Sequence, residues 1–269
     1  MSGRWQFRTL GAAVLSLVSV AYAAPVSIPH GSVELLSEVP SLQPGKSFYA
    51  GLKFKLETGW HIYWINPGDA GQPPKLTWQL PAGITAGPIE WPYPKRLAAF
   101  SAVDFGYEDE VLLLIPMKAG PELRNGGSAN LAAEVRMIVC REMCIPGRAQ
   151  VAAKLPVQAQ SGQTRANPLF AAARRKLPQP APRSWEFRAT DQTEAFLLSA
   201  VVGGPIRQAV FFPLEESQIE NAAPQVVRTS KTGFEMRLQK SSQLLKPIPR
   251  LRGVLLLGDK AYDVNAPVR

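Results

Sequence analysis

Two cysteines, Cys140 and Cys144, are the residues of this sequence best suited to chemistry, and only three residues separate them. In an extended strand their Cα atoms would lie about 13 Å apart, whereas a disulfide needs roughly 4.4–6.8 Å. A bond between them therefore requires a sharp turn directly after the strand that ends at Cys140. Pro146 and Gly147 follow at once and are residues typical of such turns.

Three kinds of chemistry fit this cysteine spacing. A disulfide that closes a loop of about five residues stabilises a fold by only about 2 kcal/mol, the low end for such bonds. A reversible redox pair is therefore one interpretation. An inert disulfide is the second, because a single disulfide in a secreted domain is more often structural. The third is a Cu(I) site to which Met143 would add a thioether ligand, with Met137 as an optional second one. The spacing alone leaves all three open.

The composition excludes several other functions. His30 and His61 are the only histidines, which leaves little material for a histidine-based metal site or a hydrolase triad. The formal net charge is +9, but the basic residues are scattered without an aromatic and basic stripe, so no nucleic-acid partner is expected. With 46% hydrophobic and 19% charged residues, the chain has the balance of a globular protein.

Residues 1–23 have the features of a signal peptide. Two arginines form a positive start, an apolar run covers 10–20, and the segment 21–23 supplies the small residues of a cleavage site. The run is shorter than the roughly 20 residues of a membrane helix, and an uncleaved anchor is the alternative. Cleavage after Ala23 removes both arginines and lowers the net charge from +9 to +7. The mature chain is then expected in the periplasm, an oxidising compartment where the cysteines should pair.

The remaining residues predict an all-β protein. Apolar and polar residues alternate, or apolar runs have strand length, with Gly and Pro turn signals between them. Strands are predicted at 52–56, 60–64, 76–80, 111–115, 131–139, 149–155, 195–202, 208–212, 226–238 (a hairpin) and 253–257. In the strand before Cys140, Leu131 and Val139 are expected on the apolar face, and Arg136 and Cys140 on the polar face.

The turn spacing divides the chain into two β-domains. Residues 24–160 are predicted to form an immunoglobulin-like β-sandwich that carries the cysteine pair, and 184–269 a second, smaller β-sandwich-like domain. Between them, 161–183 is predicted to contain a short helix that starts at Asn167 and a proline-rich extended linker.

Five segments occur in order along the first half of the chain: Pro29-His30 with Val33-Glu34-Leu35, Gly59 to Asp69, Gly87 to Pro92, Phe105 to Leu113, and Val139 to Gly147. Together they resemble the N-terminal periplasmic region of the DsbD family of thiol:disulfide interchange proteins, and its ScsB-like branch most closely. The resemblance covers about 29–155, and the later half is only loosely similar to the family's second N-terminal β-domain.

The resemblance implies an immunoglobulin-like domain with one reversible cysteine pair. Such a domain takes electrons from a membrane thiol reductant and passes them to disulfides of periplasmic proteins, in processes such as cytochrome c biogenesis and copper tolerance. No cofactor and no small-molecule substrate are implied. Since no membrane module follows in this sequence, the reductant is expected to be a separate chain. The alternative is a copper-binding or scaffold module in which the pair holds metal or only braces a turn.

The resemblance also assigns roles to particular residues. Cys140 and Cys144 correspond to the redox pair, and the position of Cys144 before Ile145-Pro146 favours it as the thiol that faces partners. The family's cap loop, whose aromatic side chain shields the pair, corresponds to 104–107, so Phe105 or Tyr107 is expected to be the shield.

Four further residues are candidates to tune the thiols. The segment that contains His61 and Tyr63 corresponds to a family stretch beside the pair, so either side chain would influence thiolate formation. The acidic Asp104 and Glu108 are candidates to hold a proton or to repel a thiolate.

Overall fold

A computed structural model describes residues 24–99, 102–160 and 167–269, so the predicted signal peptide lies outside the described residues. Nineteen strands and one helix are present in these ranges. None of the helical segments described there has the length and apolar character needed to cross a membrane. The all-β, immunoglobulin-like architecture predicted from the sequence is confirmed.

The first part of the chain is a sandwich of two sheets. Its strands are β1 (Val26–Ile28), β2 (Gly31–Ser37), β3 (Ser47–Leu56), β4 (His61–Gly68), β5 (Lys75–Gln79), β6 (Ile84–Ala86), β7 (Lys95–Ala99), β8 (Ala102–Glu108), β9 (Glu110–Ala119), β10 (Ser128–Cys140) and β11 (Cys144–Pro156). One sheet has the order β1-β2-β3-β9-β6, and the other has the order β11-β10-β4-β8-β7 with β5 also paired to β10. The second sheet carries the cysteines.

The core of this sandwich follows the alternation of the sequence. On β3, Leu52, Phe54 and Leu56 are buried, as the pattern predicts. On β10, Leu131 and Val139 point into the core, whereas Arg136 on the other face is exposed. This confirms which face of β10 points outwards, and it is the face that carries Cys140.

The second part of the chain has one helix and two smaller sheets. Its elements are α1 (Pro168–Arg175), β12 (Gln179–Pro180), β13 (Glu186–Asp191), β14 (Ala195–Val201), β15 (Val210–Pro213), β16 (Val226–Thr229), β17 (Gly233–Gln239), β18 (Arg250–Leu257) and β19 (Lys260–Pro267). The sheets have the orders β12-β19-β18-β15 and β13-β14-β17-β16. The predicted hairpin at 226–238 is present as the antiparallel pair β16 and β17.

The segment predicted as a linker is docked onto both parts of the protein. Asn167 caps α1 by accepting a hydrogen bond from the backbone N–H of Leu169 at 3.1 Å. Phe170 is fully buried against the first sandwich, and Arg174 donates two hydrogen bonds to Glu38 at 2.5 and 2.6 Å. After the helix, β12 pairs with β19. The helix predicted from Asn167 is therefore present, and apolar and charged side chains anchor it to the first sandwich.

The second part also packs directly against β4 and β8. The ring of Phe212 lies edge-to-face against Trp64 and Phe105, with centroids 6.2 and 5.4 Å away. The side-chain amide of Asn66 donates to the carbonyls of Pro213 and Glu215 at 2.8 and 3.2 Å. These contacts brace the two strands that support the cysteine pair.

Candidate redox site

The cysteine pair closes the β10–β11 hairpin. The two strands pair in register from Ser128 opposite Pro156 to Cys140 opposite Cys144, and 141–143 form the turn. The predicted disulfide is present, with Cα atoms 4.2 Å apart. The sharp turn expected between the cysteines is therefore a hairpin end, and both sulfurs lie on the outer face of the sheet.

The two cysteines differ in exposure although they are direct neighbours. Cys140 is only 2% exposed, because β10 is an interior strand and Cys140 pairs with His61 of β4 on its other side. Cys144 is exposed, because β11 is the outermost strand of the sheet. An approaching thiol or disulfide can therefore reach Cys144 more easily than Cys140.

The hydroxyl of Tyr63 covers the buried sulfur. It donates a hydrogen bond to Cys140 Sγ at 2.8 Å and lies 3.5 Å from Cys144 Sγ. Burial raises the pKa of Tyr63 far above its ordinary value, and the nearby Asp104 carboxylate, which also accepts from the hydroxyl, adds to this rise. Tyr63 therefore stays neutral and remains a hydrogen-bond donor across the physiological pH range.

Asp104 and His61 complete a buried polar cluster behind Tyr63. Asp104 is 4% exposed, and its Oδ2 atom lies 3.5 Å from the Tyr63 hydroxyl. Its Oδ1 atom accepts a hydrogen bond from the backbone N–H of Ala70 at 3.1 Å. His61 Nε2 lies 3.5 Å from Asp104 Oδ2 but makes no hydrogen bond to a described residue. The structure thus brings His61, Tyr63 and Asp104 together beside the sulfurs.

Glu108, the fourth tuning candidate, lies opposite His61 in the β4–β8 pairing, but its carboxylate binds a surface lysine. Its carboxylate accepts a hydrogen bond from Lys95 Nζ at 3.1 Å, and about a third of its side chain is exposed. The charge of Glu108 is therefore balanced at the surface.

The predicted cap loop is a strand. Residues 104–107 lie within β8, and Phe105 is fully buried against Trp64 and Phe212. Tyr107 is also buried, and its hydroxyl donates to the carbonyl of Pro92 at 2.6 Å. The expectation of a loop is therefore wrong, since both rings pack into the core from a strand. The aromatic side chain that contacts the sulfurs is that of Tyr63. A shielding role for Phe105 or Tyr107 stays a prediction.

Gly71 is a site residue that the sequence reasoning missed. Its backbone lies on the Tyr63 ring, so closely that a Cβ atom at this position would come within 2.1 Å of Tyr63 Cζ. Its φ of +81° is also in the left-handed region, which favours glycine. The only signal in the sequence was the turn pattern that follows Asn66. Gly71 therefore lets the β4–β5 loop cover Tyr63.

The loop that contains Gly71 is tied to the second part of the protein. Asp69 Oδ2 accepts a hydrogen bond from the backbone N–H of Val103 at 2.7 Å. Asp69 Oδ1 accepts from the side-chain amide of Asn221 at 2.8 Å, and Arg96 donates to the Asn221 carbonyl. Side chains of both parts of the chain thus fix the position of this loop.

The turn of the hairpin rests on an aromatic stack. The Arg141 guanidinium lies 5.4 Å from the centre of the Trp60 ring, and His30 stacks on Trp60 with centroids 3.6 Å apart. His30 Nδ1 lies 2.8 Å from Glu57 Oε2. This stack holds one side of the turn, whereas Met143 at its tip is 66% exposed.

Of the two methionines considered as Cu(I) ligands, the fold separates Met137 from the cysteines. Met137 is buried on the inner face of β10, whereas both cysteines lie on the outer face. Within the ranges 24–99, 102–160 and 167–269, no group of three or more His, Cys, Asp or Glu side chains is arranged to hold a metal ion. The ligand set that included Met137 is therefore not assembled.

Comparison with known proteins agrees with this geometry. The family model for the N-terminal domain of the thiol:disulfide interchange protein DsbD matches residues 33–156. The structure is similar to the N-terminal periplasmic domain of ScsB from Proteus mirabilis, with a TM-score of 0.67 and 16% identity, over 93% of this chain and 99% of that one.

Two further solved structures are much less similar. The periplasmic chaperone SfaE has a TM-score of 0.23 and 8% identity, over 87% of this chain and 100% of that one. The major pilin subunit BcpA of Bacillus cereus has a TM-score of 0.29 and 9% identity, over 89% and 66%. Among curated proteins, no match to this sequence is found. Residues 33–156, which carry the disulfide hairpin and the Tyr63 cluster, therefore form a domain of the DsbD N-terminal family.

Proposed function

We propose that this protein is a periplasmic thiol–disulfide interchange protein that carries two electrons at a time on the Cys140–Cys144 pair. Its electrons come from a membrane thiol reductant on a separate chain, and they go to disulfides of periplasmic proteins. Residues 1–23 direct the chain to the periplasm and are cleaved there. The observation that carries the proposal is the unequal exposure of two bonded cysteines at the turn end of a hairpin.

The exchange takes place in two steps that follow from this asymmetry. In the reduced protein, the exposed Cys144 thiolate attacks a partner disulfide, forms a mixed disulfide and releases one partner thiolate, which takes up a proton. The buried Cys140 thiolate then attacks Cys144 Sγ, which restores the Cys140–Cys144 bond and releases the second partner thiol. The protein loses two electrons and the partner disulfide gains them.

Tyr63 supports the second step. A hydrogen bond to an ionised sulfur is stronger than one to a neutral sulfur, so the Tyr63 hydroxyl at 2.8 Å from Cys140 Sγ stabilises the attacking thiolate. The Asp104 carboxylate opposes this effect by repulsion, since it lies beside the same hydroxyl. The balance between these two opposing effects sets how readily Cys140 forms the thiolate that attacks Cys144 Sγ.

Trapping with single cysteine variants tests this proposal. In the Cys140→Ser variant the second step is blocked, so a mixed disulfide through Cys144 should accumulate in periplasmic extracts and disappear on treatment with a thiol reductant. In the matched Cys144→Ser variant the remaining cysteine is the buried one, and little adduct is expected. Equal trapping by both variants would refute the assignment of Cys144, and no adduct with either would refute the interchange function.

A reduction potential provides an independent test. Structural disulfides of secreted proteins typically have potentials below about −300 mV. An exchanging pair is expected above that value when it is equilibrated with glutathione. A lower potential would favour the alternative in which the disulfide only braces the turn.

A further inference from the structure

A groove on the outer face of the cysteine-bearing sheet begins two residues along the hairpin from the disulfide. It has a volume of about 450 Å³. Its floor is the β10–β11 hairpin next to the cysteines, with Ile138, Pro146 and Arg148 among its residues, and one wall is formed by Pro73 and Lys75.

The hairpin register arranges this floor as three successive pairs. Cys140 is opposite Cys144, Ile138 is opposite Pro146, and Arg136 is opposite Arg148. Each pair lies two residues from the next, so all three occupy the same face of the sheet, about 7 Å apart. The disulfide, an apolar step (Ile138 and Pro146) and a basic step (Arg136 and Arg148) therefore follow each other along a straight line of about 13 Å.

The basic step is fixed in place and open to solvent. Glu134 accepts a hydrogen bond from Arg136 Nε at 2.7 Å, and its other oxygen lies 2.8 Å from Arg148 Nη2. These contacts lower the pKa of Glu134, so the carboxylate stays charged and holds both guanidinium groups. Arg136 and Arg148 nevertheless keep 64% and 59% of their side chains exposed. One carboxylate faces two arginines, and the exposed Lys75 on the wall adds a third positive charge.

We infer that this groove selects partners whose reactive cysteine lies in an extended acidic segment. While the partner sulfur faces Cys144, a side chain two residues away meets Ile138 and Pro146, and one four residues away meets Arg136 and Arg148. An apolar residue at the second position and an aspartate or glutamate at the fourth complement these surfaces. The inference rests on the proposed interchange function and names the class of substrate for it.

Model peptides test this spacing directly. Each peptide has nine residues, with a central cysteine joined as a mixed disulfide to 2-mercaptoethanol, leucines two residues away on both sides, and serines elsewhere. The first peptide carries aspartates four residues away on both sides, so it fits in either chain direction. The second carries lysines there, and the third has the aspartates moved to three residues away, which turns them to the opposite face at the same net charge.

The reduced mature protein should react with the first peptide about tenfold faster than with the second. The third peptide should fall between them, and a high salt concentration should reduce the differences. In an Arg136→Gln/Arg148→Gln variant the preference should largely disappear. A matched Arg188→Gln/Arg250→Gln variant, which loses the same charge from exposed positions of the second part, should keep it. The ratio of the rates for two peptides is compared between protein variants. In this comparison the effect of a peptide's charge on the reactivity of its own disulfide cancels.

The result separates the groove from the interchange function. Equal rates for the three peptides, with normal reduction of the small neutral 2-hydroxyethyl disulfide, would overturn the groove inference alone. Loss of preference in the matched variant would also overturn it, because net charge would then explain the selectivity. No reaction with any of these disulfides would overturn the interchange function together with the groove inference.

Discussion

Replacing Asp104 with asparagine should make Cys140 ionise more easily. The Asp104 carboxylate and Cys140 Sγ lie no more than about 6 Å apart, because both contact the Tyr63 hydroxyl, at 3.5 and 2.8 Å. At this separation and an effective dielectric constant of about 20, the carboxylate repels a Cys140 thiolate by about 2–3 kcal/mol. Asparagine keeps the shape of the side chain and an oxygen for the Ala70 N–H, but it removes the charge.

The assay follows ionisation of the single thiol in a Cys144→Ser background. Ultraviolet absorbance of the thiolate, measured against pH, should show the titration of Cys140 move to lower pH by about 1–2 units in the Asp104→Asn variant. Its alkylation by iodoacetamide at neutral pH should be about tenfold faster, since the lower basicity of the thiolate offsets part of the gain in population.

A Glu108→Gln variant is the matched control for this experiment. Glu108 lies on the same strand, but its charge is paired with Lys95 at the surface. We expect little change in the titration of Cys140 from this substitution. An unchanged or higher titration point in Asp104→Asn, with an unchanged thermal unfolding curve, would refute the electrostatic role of Asp104.

Three further predictions concern stability. Gly71→Ala and Gly126→Ala both place an alanine at positive φ, which lowers the free energy of unfolding by about 1–2 kcal/mol. Only Gly71→Ala also collides with Tyr63, and this collision should lower it by about 1–3 kcal/mol more. Denaturant titration of both variants measures the difference. Burial raises the pKa of Tyr63 and of Tyr107 in the folded protein. Above about pH 10 the unfolded chain releases these protons while the folded protein keeps them. The free energy of unfolding should therefore fall as the pH rises above that value. The decrease of the unfolding free energy with pH should be smaller in Tyr63→Phe. Equal slopes for this variant and the wild type would contradict this prediction. Phe170→Ala should cost about 3–5 kcal/mol if α1 is docked as described, whereas a loss below about 1 kcal/mol would mean that the helix is only loosely attached.

The parts of the fold that the sequence predicts are those set by local pattern. Alternation on β10 assigns Leu131 and Val139 to the core and Arg136 to the outer face, because successive side chains of a strand point to opposite faces. The spacing of Cys140 and Cys144 predicts a sharp turn between them, which 141–143 make, whereas Pro146 and Gly147 lie in β11 and not in the turn. Asn167 identified the start of α1 for a similarly local reason, since its side chain caps the first turn.

The parts that the sequence does not predict depend on which strands become neighbours. Tyr63 and Asp104 meet because β4 pairs with β8, and they reach the sulfurs because β4 also pairs with β10 at Cys140. Alternation fixes the faces of a strand but not its partners or its register. The resemblance predicts a loop at 104–107, whereas these residues lie in β8 and the Phe105 ring completes a core shared with Phe212.

The unequal exposure of the cysteines follows from the position of the hairpin at the edge of the sheet. Two residues that face each other in a register pair normally share one environment. Here β11 is an edge strand and β10 is an interior strand, so Cys144 faces solvent and Cys140 lies under Tyr63. The exposed sulfur therefore lies on the β11 side of the pair, where Arg148 also lies. One hairpin in one register thus separates an exposed sulfur from a buried sulfur that contacts the Tyr63 hydroxyl.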